Sequence, residues 1–236
     1  MNKIYNNNSI LRHNWTSEEA KSIIDQPLLD LLFKSQTIHR SNFPKNEIQK
    51  SKLLSIKTGS CPEDCSYCSQ SAHHNVDLKK EPLISLGEVV KAAEDAVKEG
   101  ATRFCMGAAW RGPTDKNIDQ VCDMVEAVNG LGLESCVTLG MLKEGHAEKL
   151  ARSGLNYYNH NIDASEGFYK SIITTRNVSD RIDTLEKVRN AGVKVCSGGI
   201  IGMGETRYDR SEMIRTLSNL DEHPESVPIN MLIRIP

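Results

Sequence analysis

The amino-acid sequence predicts an α/β fold: a TIM-type (β/α) barrel with about six of the eight β/α units of a full barrel, preceded by an N-terminal helical extension. Helical and strand patterns alternate along the chain with short connections, which favours a parallel sheet with helical crossovers. Each predicted strand also has one apolar face and one face that carries Cys, Asn or charge. A doubly wound sheet would instead show nearly continuous apolar strands. The polar faces therefore predict a barrel whose lumen serves as a reaction chamber.

Composition indicates an ordinary globular protein. Hydrophobic residues make up 39% of the 236 residues and charged residues 25%, which is typical of folded soluble domains. The formal net charge of −2 gives no reason to expect nucleic acid or an anionic membrane as a partner. No apolar run approaches the roughly 18 residues of a membrane span, and the sequence does not begin with a secretory signal. We expect a cytoplasmic protein whose seven cysteines serve metal binding or catalysis rather than disulfides.

The first 50 residues are predicted to form the helical extension. Residues 1–15 are rich in Asn and are expected to lack regular structure. From Thr16 apolar residues recur at helical spacing, and Pro27 separates two short helices. No repeat or linker interrupts residues 51–236, which are predicted to form the barrel as one domain.

Capping signals mark the first helix of the barrel. Ser85 is a good N-cap residue, Glu88 completes a capping box, and Gly100 ends the helix. The other barrel helices are predicted over residues 116–129, 143–153, 179–191 and 206–220. The strands are predicted over residues 53–58, 102–107, 133–139, 157–162, 193–198 and 227–235. Because the chain ends directly after the sixth strand, we expect the barrel to be incomplete at its C-terminus.

Three cysteines follow the first predicted strand at close spacing. They form the pattern Cys61-x3-Cys65-x2-Cys68, and three thiolates in so short a loop can bind three irons of a cubane cluster. The fourth iron would stay open to a substrate or cofactor, as in a catalytic metal site with an open position. A zinc site completed by His73 or His74, or three incidental thiols, are the alternatives that spacing leaves open.

A second set of cysteines is dispersed along the sequence. Cys105, Cys136 and Cys196 lie on the polar faces of the second, third and fifth predicted strands, so a barrel would bring them together in its lumen. They predict a buried metal or cluster site, although free cysteines also occur simply as small buried hydrophobic residues. Cys122, within a predicted helix, is expected to be such a core residue.

With Tyr67 as the aromatic residue, the first cysteine loop has the form Cys-x3-Cys-x-aromatic-Cys, the signature of the radical S-adenosyl-L-methionine (SAM) superfamily. Five further segments resemble the biotin synthase family of that superfamily: RFCMGAAWRGP, YYNHNIDAS, ITTRN, KVCSGGIIGMGET and PESVPINML. The resemblance runs from about Leu53 to the end of the chain. It implies a barrel of the radical SAM type.

The resemblance implies two iron–sulfur clusters. Cys61, Cys65 and Cys68 would hold a [4Fe-4S] cluster, whose open iron binds SAM and whose electron cleaves SAM to a 5′-deoxyadenosyl radical. The set Cys105, Cys136 and Cys196 would ligate a [2Fe-2S] cluster, the proposed source of the inserted sulfur. In the family the fourth ligand of this cluster is an arginine on a later barrel strand, which this sequence does not contain.

The resemblance also implies cofactor and substrate contacts. Asn161 and Asp163 would bind the SAM ribose and Arg181 the methionine carboxylate. The full set expected to bind the cofactor is Tyr67, Ala108, Trp110, Asn161, Asp163 and Arg181. The residues expected to bind the ureido ring of the substrate are Asn159, Asn161 and Asn230. Asn amides supply the paired donors and acceptors that a neutral cyclic urea requires; a turn at the end of the fourth strand is the alternative interpretation of Asn159 and Asn161.

The function implied by the resemblance is that of a sulfurtransferase, which inserts sulfur into dethiobiotin to form biotin, the last step of biotin biosynthesis. An electron donor such as flavodoxin and a homodimeric assembly are expected with it. Another radical SAM enzyme on the same scaffold is one alternative. The other is a catalytically incompetent fragment that binds iron–sulfur or zinc, because the predicted barrel lacks its last strands.

Overall fold

The structure, a computed structural model, describes residues 11–44 and 46–233. Five parallel strands pair in chain order to form one sheet, and a sixth and seventh strand pair with each other, also in parallel. The strands are β1 (Ser51–Lys57), β2 (Arg103–Ala108), β3 (Glu134–Thr138), β4 (Tyr157–Asn159), β5 (Lys194–Cys196), β6 (Gly199–Ile201) and β7 (Ile229–Met231). The last two residues of the predicted sixth strand and residues 1–10 of the extension lie outside the described residues.

Two helices precede the first strand: α1 (Ser17–Ile24) and α2 (Leu28–Asn42). Helices connect all later successive strands except β5 and β6, which confirms the predicted α/β alternation. These are α3 (Leu86–Lys98), α4 (Asp115–Gly130), α5 (His146–Arg152), α6 (Glu166–Tyr169), α7 (Val178–Asn190) and α8 (Arg207–Ser218). The predicted capping box at Ser85 and Glu88 forms at the start of α3. A capping box also begins four other helices, with N-cap residues Thr16, Thr114, Asn177 and Thr206. Within the described residues no helix is both long and apolar enough to cross a membrane.

The structure differs from the sequence prediction in two connections. The predicted fifth strand, residues 193–198, forms only β5, which pairs with β4. A further strand that was not predicted, β6, follows it and pairs with β7. Isolated bridges from Asp163 to Gly199 and from Cys196 to Ser226 keep β5 and β6 in one parallel arrangement. The short helix α6 was not predicted, because four residues are too few to show a helical period.

The apolar core lies between the sheet and its helices. Phe104, Met106, Val137 and Val195, which the parity of the strands predicts on the helix side, are all at most 2% exposed. Cys136 and Cys196 instead pack with Tyr157 and with half-buried Cys105 in a separate small cluster. The strand parity is thus confirmed for β2, β3 and β5.

The sixth predicted strand does not follow this pattern. Its residues Ile229, Met231 and Ile233, predicted to form an apolar face under a helix, are exposed by 45%, 74% and 81%. Among the described strands β7 pairs only with β6, so it lies at the edge of the sheet. The expectation of a buried apolar face was therefore wrong for this strand.

The N-terminal helices lie against the end of the barrel. α1 packs against α8, and Trp15 donates its backbone N–H to Asn219 Oδ1 at 2.8 Å. Arg207 pairs with Asp25 at 2.9 Å, while α2 has no buried residue. The division into a helical extension and a barrel domain stays a prediction.

Gly198, between β5 and β6, lies too close to a neighbouring backbone for any side chain. A Cβ atom there would lie 1.8 Å from the carbonyl oxygen of Pro228, so Gly198→Ala must displace one of the two segments. We expect the free energy of unfolding to fall by about 3 kcal/mol, the upper end of the usual cost of overpacking, as measured by urea denaturation. Gly87→Ala is the matched control, since nothing lies within 4 Å of a Cβ at that position. Equal unfolding midpoints for the two variants would contradict the prediction.

Candidate functional site

A cavity of about 310 Å³ opens beside the carboxyl ends of the strands and collects most of the residues predicted to be functional. Active sites of (β/α) barrels lie at this end, where the βα loops converge. Of the predicted site residues, those that line it are Cys61, Cys65, Tyr67, Cys68, Ala108, Trp110, Asn159, Asn161, Asp163 and Arg181. Asn230 does not line the cavity and is exposed on β7. A larger groove of about 590 Å³ lies between the N-terminal helices and α8 and contains none of the predicted site residues.

The first three cysteines lie in a loop that is folded onto itself. Cys61 donates its N–H to Gln70 O at 2.9 Å and accepts at its own carbonyl from Ala72 N at 2.7 Å. Cys61 and Cys65 are 9% and 4% exposed. Burial raises the pKa of the Cys61 and Cys68 thiols, and the neighbouring cysteines raise both further. Three thiols on the wall of one cavity, those of buried Cys61 and Cys65 and half-buried Cys68, fit a cubane cluster that takes three thiolate ligands and leaves one iron facing the cavity.

The two histidines after the loop brace its backbone. His73 Nε2 lies 3.1 Å from Pro62 O, and His74 Nε2 lies 2.8 Å from Cys65 O. The Nε2 atoms of both histidines therefore hydrogen-bond backbone carbonyl oxygens, which does not favour the alternative in which one of them completes a zinc site. Within the part of the chain that the structure describes, no three His, Cys, Asp or Glu side chains are grouped to hold a single metal ion.

Two acidic residues of the loop fasten it to residues 174–176. Asp64 accepts hydrogen bonds from the backbone N–H groups of Thr174 and Thr175 at 3.0 and 3.2 Å. These bonds lower the pKa of Asp64, against the opposing effect of burial. Glu63, 1% exposed, accepts from the Thr175 hydroxyl and pairs with Arg111 at 2.9 Å. Sequence reasoning missed this clamp, because nothing in the local sequence links residues more than a hundred positions apart.

A buried ion pair forms the wall of the cavity next to the cysteine loop. Asp163 and Arg181, with side chains 6% and 4% exposed, form a salt bridge, and Tyr67 donates its hydroxyl to the Asp163 carboxylate. Arg181 also donates to the hydroxyl of Tyr169 at 2.6 Å. Burial alone would lower the pKa of Arg181, but its interactions with Asp163, Tyr67 and Tyr169 together raise that pKa above its ordinary value. Burial and the adjacent Asp163 charge raise the pKa of Tyr67, which keeps its hydroxyl a donor.

Removing the acid from this pair should destabilise the fold strongly. Asp163→Asn leaves the Arg181 guanidinium buried without a counter-charge, and breaking such a pair typically costs about 3–5 kcal/mol of unfolding free energy. Asp163 has a φ of 64°, a conformation that Asn also adopts readily. Backbone strain therefore does not contribute to the loss of unfolding free energy in this variant. The control is Asp119→Asn, which breaks an exposed pair with Lys149 and should cost less than about 1 kcal/mol. Urea denaturation of both variants tests the difference, and similar losses would contradict it.

The dispersed cysteines meet on the opposite face of the sheet from the apolar core. Cys105 and Cys136 are directly paired across β2 and β3. The hydrogen bond between their thiols raises the pKa of Cys136, as does burial, and lowers that of Cys105. Cys196 accepts a hydrogen bond from Asn159 Nδ2 at 3.1 Å. The three thiols thus form one compact group, which fits a second site with thiolate ligands.

Asn159 connects this group with the cavity. Its Oδ1 accepts from Thr138 at 3.2 Å, and its Nδ2 also lies 3.3 Å from Asn161 Oδ1. Asn161 in turn accepts from Gly198 N at 3.1 Å. The two asparagines, predicted as substrate contacts, therefore lie between the two cysteine groups and are held in fixed orientations.

Comparison with known proteins agrees with this geometry. The family model of the radical SAM superfamily matches residues 55–217. The chain is 56% identical over 229 residues to a biotin synthase of Psychromonas ingrahamii, an alignment that covers 97% of this chain and 65% of the relative. It is also 56% identical over 226 residues to a biotin synthase of Methylococcus capsulatus, covering 96% of this chain and 69% of the relative. The chain thus spans about two thirds of the length of these curated relatives.

Solved structures share the fold. Methylornithine synthase (PylB) aligns with a TM-score of 0.76 and 15% identity over 92% of this chain and 64% of that chain. The [FeFe]-hydrogenase maturase HydG of Carboxydothermus hydrogenoformans aligns with a TM-score of 0.74 and 18% identity over 92% of this chain and 53% of that chain. These likenesses confirm the barrel-type architecture.

Proposed function

We propose that this chain, which belongs to the biotin synthase family of the radical SAM superfamily, inserts sulfur into dethiobiotin to form biotin. The observation that carries the proposal is the position of Asn159 and Asn161 between two separate groups of three cysteines. A substrate held by these amides lies between the group in the βα loop and the group on the strands. This arrangement serves a reaction that removes hydrogen on one side and delivers sulfur from the other.

The residues divide between two clusters and one cofactor. Membership of the superfamily brings SAM and an iron–sulfur cluster; the assignment to individual residues is our proposal. Cys61, Cys65 and Cys68 hold a [4Fe-4S] cluster, and the strand cysteines supply three ligands of a [2Fe-2S] cluster: Cys105, Cys136 and Cys196. When bound, SAM and the first cluster would supply a 5′-deoxyadenosyl radical, and the second cluster would supply the sulfur atom. A radical is needed because the C–H bonds of the substrate are not acidic enough for a base to remove their protons.

The protein's own side chains position the reactants. Asn159 and Asn161 present amide groups to the neutral ureido ring, so that no unpaired charge is buried beside it. We assign the Asp163 carboxylate to accept hydrogen bonds from the SAM ribose and the Arg181 guanidinium to attract the methionine carboxylate. Both are held by their mutual salt bridge. Tyr67 belongs to the same SAM-binding wall.

Apolar residues cover the remaining wall of the cavity. Ala108 and Trp110, at the end of β2, are assigned to the adenosyl group, and Leu54 borders the same space. Their side chains exclude water, which protects a reactive radical from side reactions. Asn230 is retained as a third substrate amide on the family resemblance alone, because it is exposed on β7 and does not line this cavity.

Partners and location complete the proposal. A one-electron donor such as flavodoxin reduces the first cluster, since the radical reaction consumes an electron. A cytoplasmic homodimer is proposed as the working form. The proposal includes no nucleic acid or membrane partner, in line with the net charge of −2.

Anaerobic reconstitution tests the proposal. The chain is loaded with iron and sulfide, its iron and sulfide are counted, and its Mössbauer spectrum is recorded before SAM, dethiobiotin and a reductant are added. We expect signals of both cluster types, together with 5′-deoxyadenosine and biotin. A protein that binds zinc but gives no cubane signal would refute the iron–sulfur assignment. Formation of 5′-deoxyadenosine without biotin would show a chain that performs only the first half of the reaction.

A further inference from the structure

Arg176 lies against the first cysteine loop, and the proposed chemistry does not use it. It belongs to the connection between α6 and α7 and borders the same cavity as Cys65. Its Nη2 lies 3.5 Å from Cys65 Sγ, a hydrogen bond to sulfur. The side chain is only 9% exposed, so its charge faces the thiols with little screening by water.

The loop that carries the cysteines also holds this arginine in place. Glu63, two residues before Cys65, is 1% exposed, and its Oε2 lies 3.6 Å from Arg176 Nε. Asp64 fixes the preceding residues through their backbone N–H groups. Among the described residues Nε of Arg176 has no hydrogen-bond partner, so the guanidinium is oriented by charge and by the sulfur contact. Burying a charged pair is unfavourable unless its geometry is well satisfied, which makes a purely structural role a poor account of it.

We propose that Arg176 sets the reduction potential of the cluster at Cys61, Cys65 and Cys68 by donating an N–H hydrogen bond to the Cys65 sulfur. This inference rests on the proposed function, because it requires an iron–sulfur cluster at that loop. Reduction transfers one electron from an external donor, a reduced flavoprotein or dithionite, to the cluster, and no covalent bond forms or breaks. The added negative charge is shared by the ligand sulfurs. A cationic N–H donor stabilises that state and raises the potential, which depends on hydrogen bonds to the sulfurs.

A redox titration of the reconstituted full chain, followed by electron paramagnetic resonance, measures the effect. Arg176→Gln removes the charge and the forked donor. We expect reduction to become about tenfold less favourable, which corresponds to a midpoint about 59 mV lower for a one-electron couple. The matched control is Arg111→Gln, which removes an arginine that also pairs with Glu63 but, within the described part of the chain, makes no hydrogen bond to a cysteine sulfur. Its potential should equal that of the unmodified chain.

Arg176→Lys separates this role from a structural one. Lysine keeps the charge but not the forked geometry, so its potential should lie between those of the unmodified chain and Arg176→Gln, with the same iron content. If Arg176→Gln does not retain the cluster, the potential of Arg176→Lys alone tests whether Arg176 sets the reduction potential. Unchanged potential in the Arg176 variants, or an equal fall in Arg111→Gln, overturns the inference while leaving the proposed function intact. No cubane signal in the unmodified chain overturns both.

Discussion

Cys61→Ala should abolish the [4Fe-4S] cluster and reduce 5′-deoxyadenosine formation to the level seen without protein. Cys61 is one of three thiols on the wall of the cavity, and among the described residues no other cysteine lines it. A cubane held by two protein thiolates lacks a ligand that these clusters require. Loss of the cluster would remove the proposed source of the electron for SAM. Iron counting, Mössbauer spectroscopy and chromatographic assay of 5′-deoxyadenosine measure the outcome.

Cys122→Ala is the matched control for this substitution. Cys122 is half-buried on α4 and packs against the apolar core, as the sequence predicted. Cys122→Ala removes one thiol, as Cys61→Ala does, but Cys122 belongs to neither cysteine group. We expect full cluster content and unchanged 5′-deoxyadenosine formation. If Cys61→Ala forms as much 5′-deoxyadenosine as this control, the role assigned to the first cysteine loop is wrong.

The parts of the site that local rules determine could be predicted from the sequence. The capping box at Ser85 and Glu88 follows from the types and spacing of these two residues. The strand period alone places Cys105 and Cys136 on the polar faces of their strands, and the register then pairs them directly. The close spacing of Cys61, Cys65 and Cys68 predicted that their thiols lie in one loop, and they line one cavity. Such features need no knowledge of distant contacts.

The parts that depend on long-range contacts could not be predicted. Glu63 and Arg176 are 113 positions apart, and only the fold shows that they form a pair beside Cys65. The Asp163–Arg181 salt bridge was likewise not foreseen, since each residue was assigned to a different part of SAM. The close approach of Pro228 to Gly198, between β5 and β6, is another contact that no local pattern reveals.

A second substitution separates the two cysteine groups functionally. Cys136→Ala should remove the [2Fe-2S] signal and reduce biotin to background while 5′-deoxyadenosine still forms. Cys136 is 2% exposed and packs with Cys105 and Cys196, and it does not line the cavity that contains Cys61. Loss of its sulfur would therefore remove one ligand of the proposed second cluster and leave the first cysteine loop intact. Mössbauer spectroscopy resolves the two cluster types, and product assays follow both compounds in one reaction.

The pattern of losses across both variants decides whether the chain works in two steps. Cys61→Ala should eliminate both products, whereas Cys136→Ala should eliminate biotin alone. This asymmetry follows from the order of the chemistry, because hydrogen removal by the radical must come before sulfur can be delivered to the resulting carbon. If Cys136→Ala retained biotin formation, the sulfur would have to come from elsewhere. The compact thiol group on β2, β3 and β5 would then be a small hydrophobic cluster, as its burial alone allows.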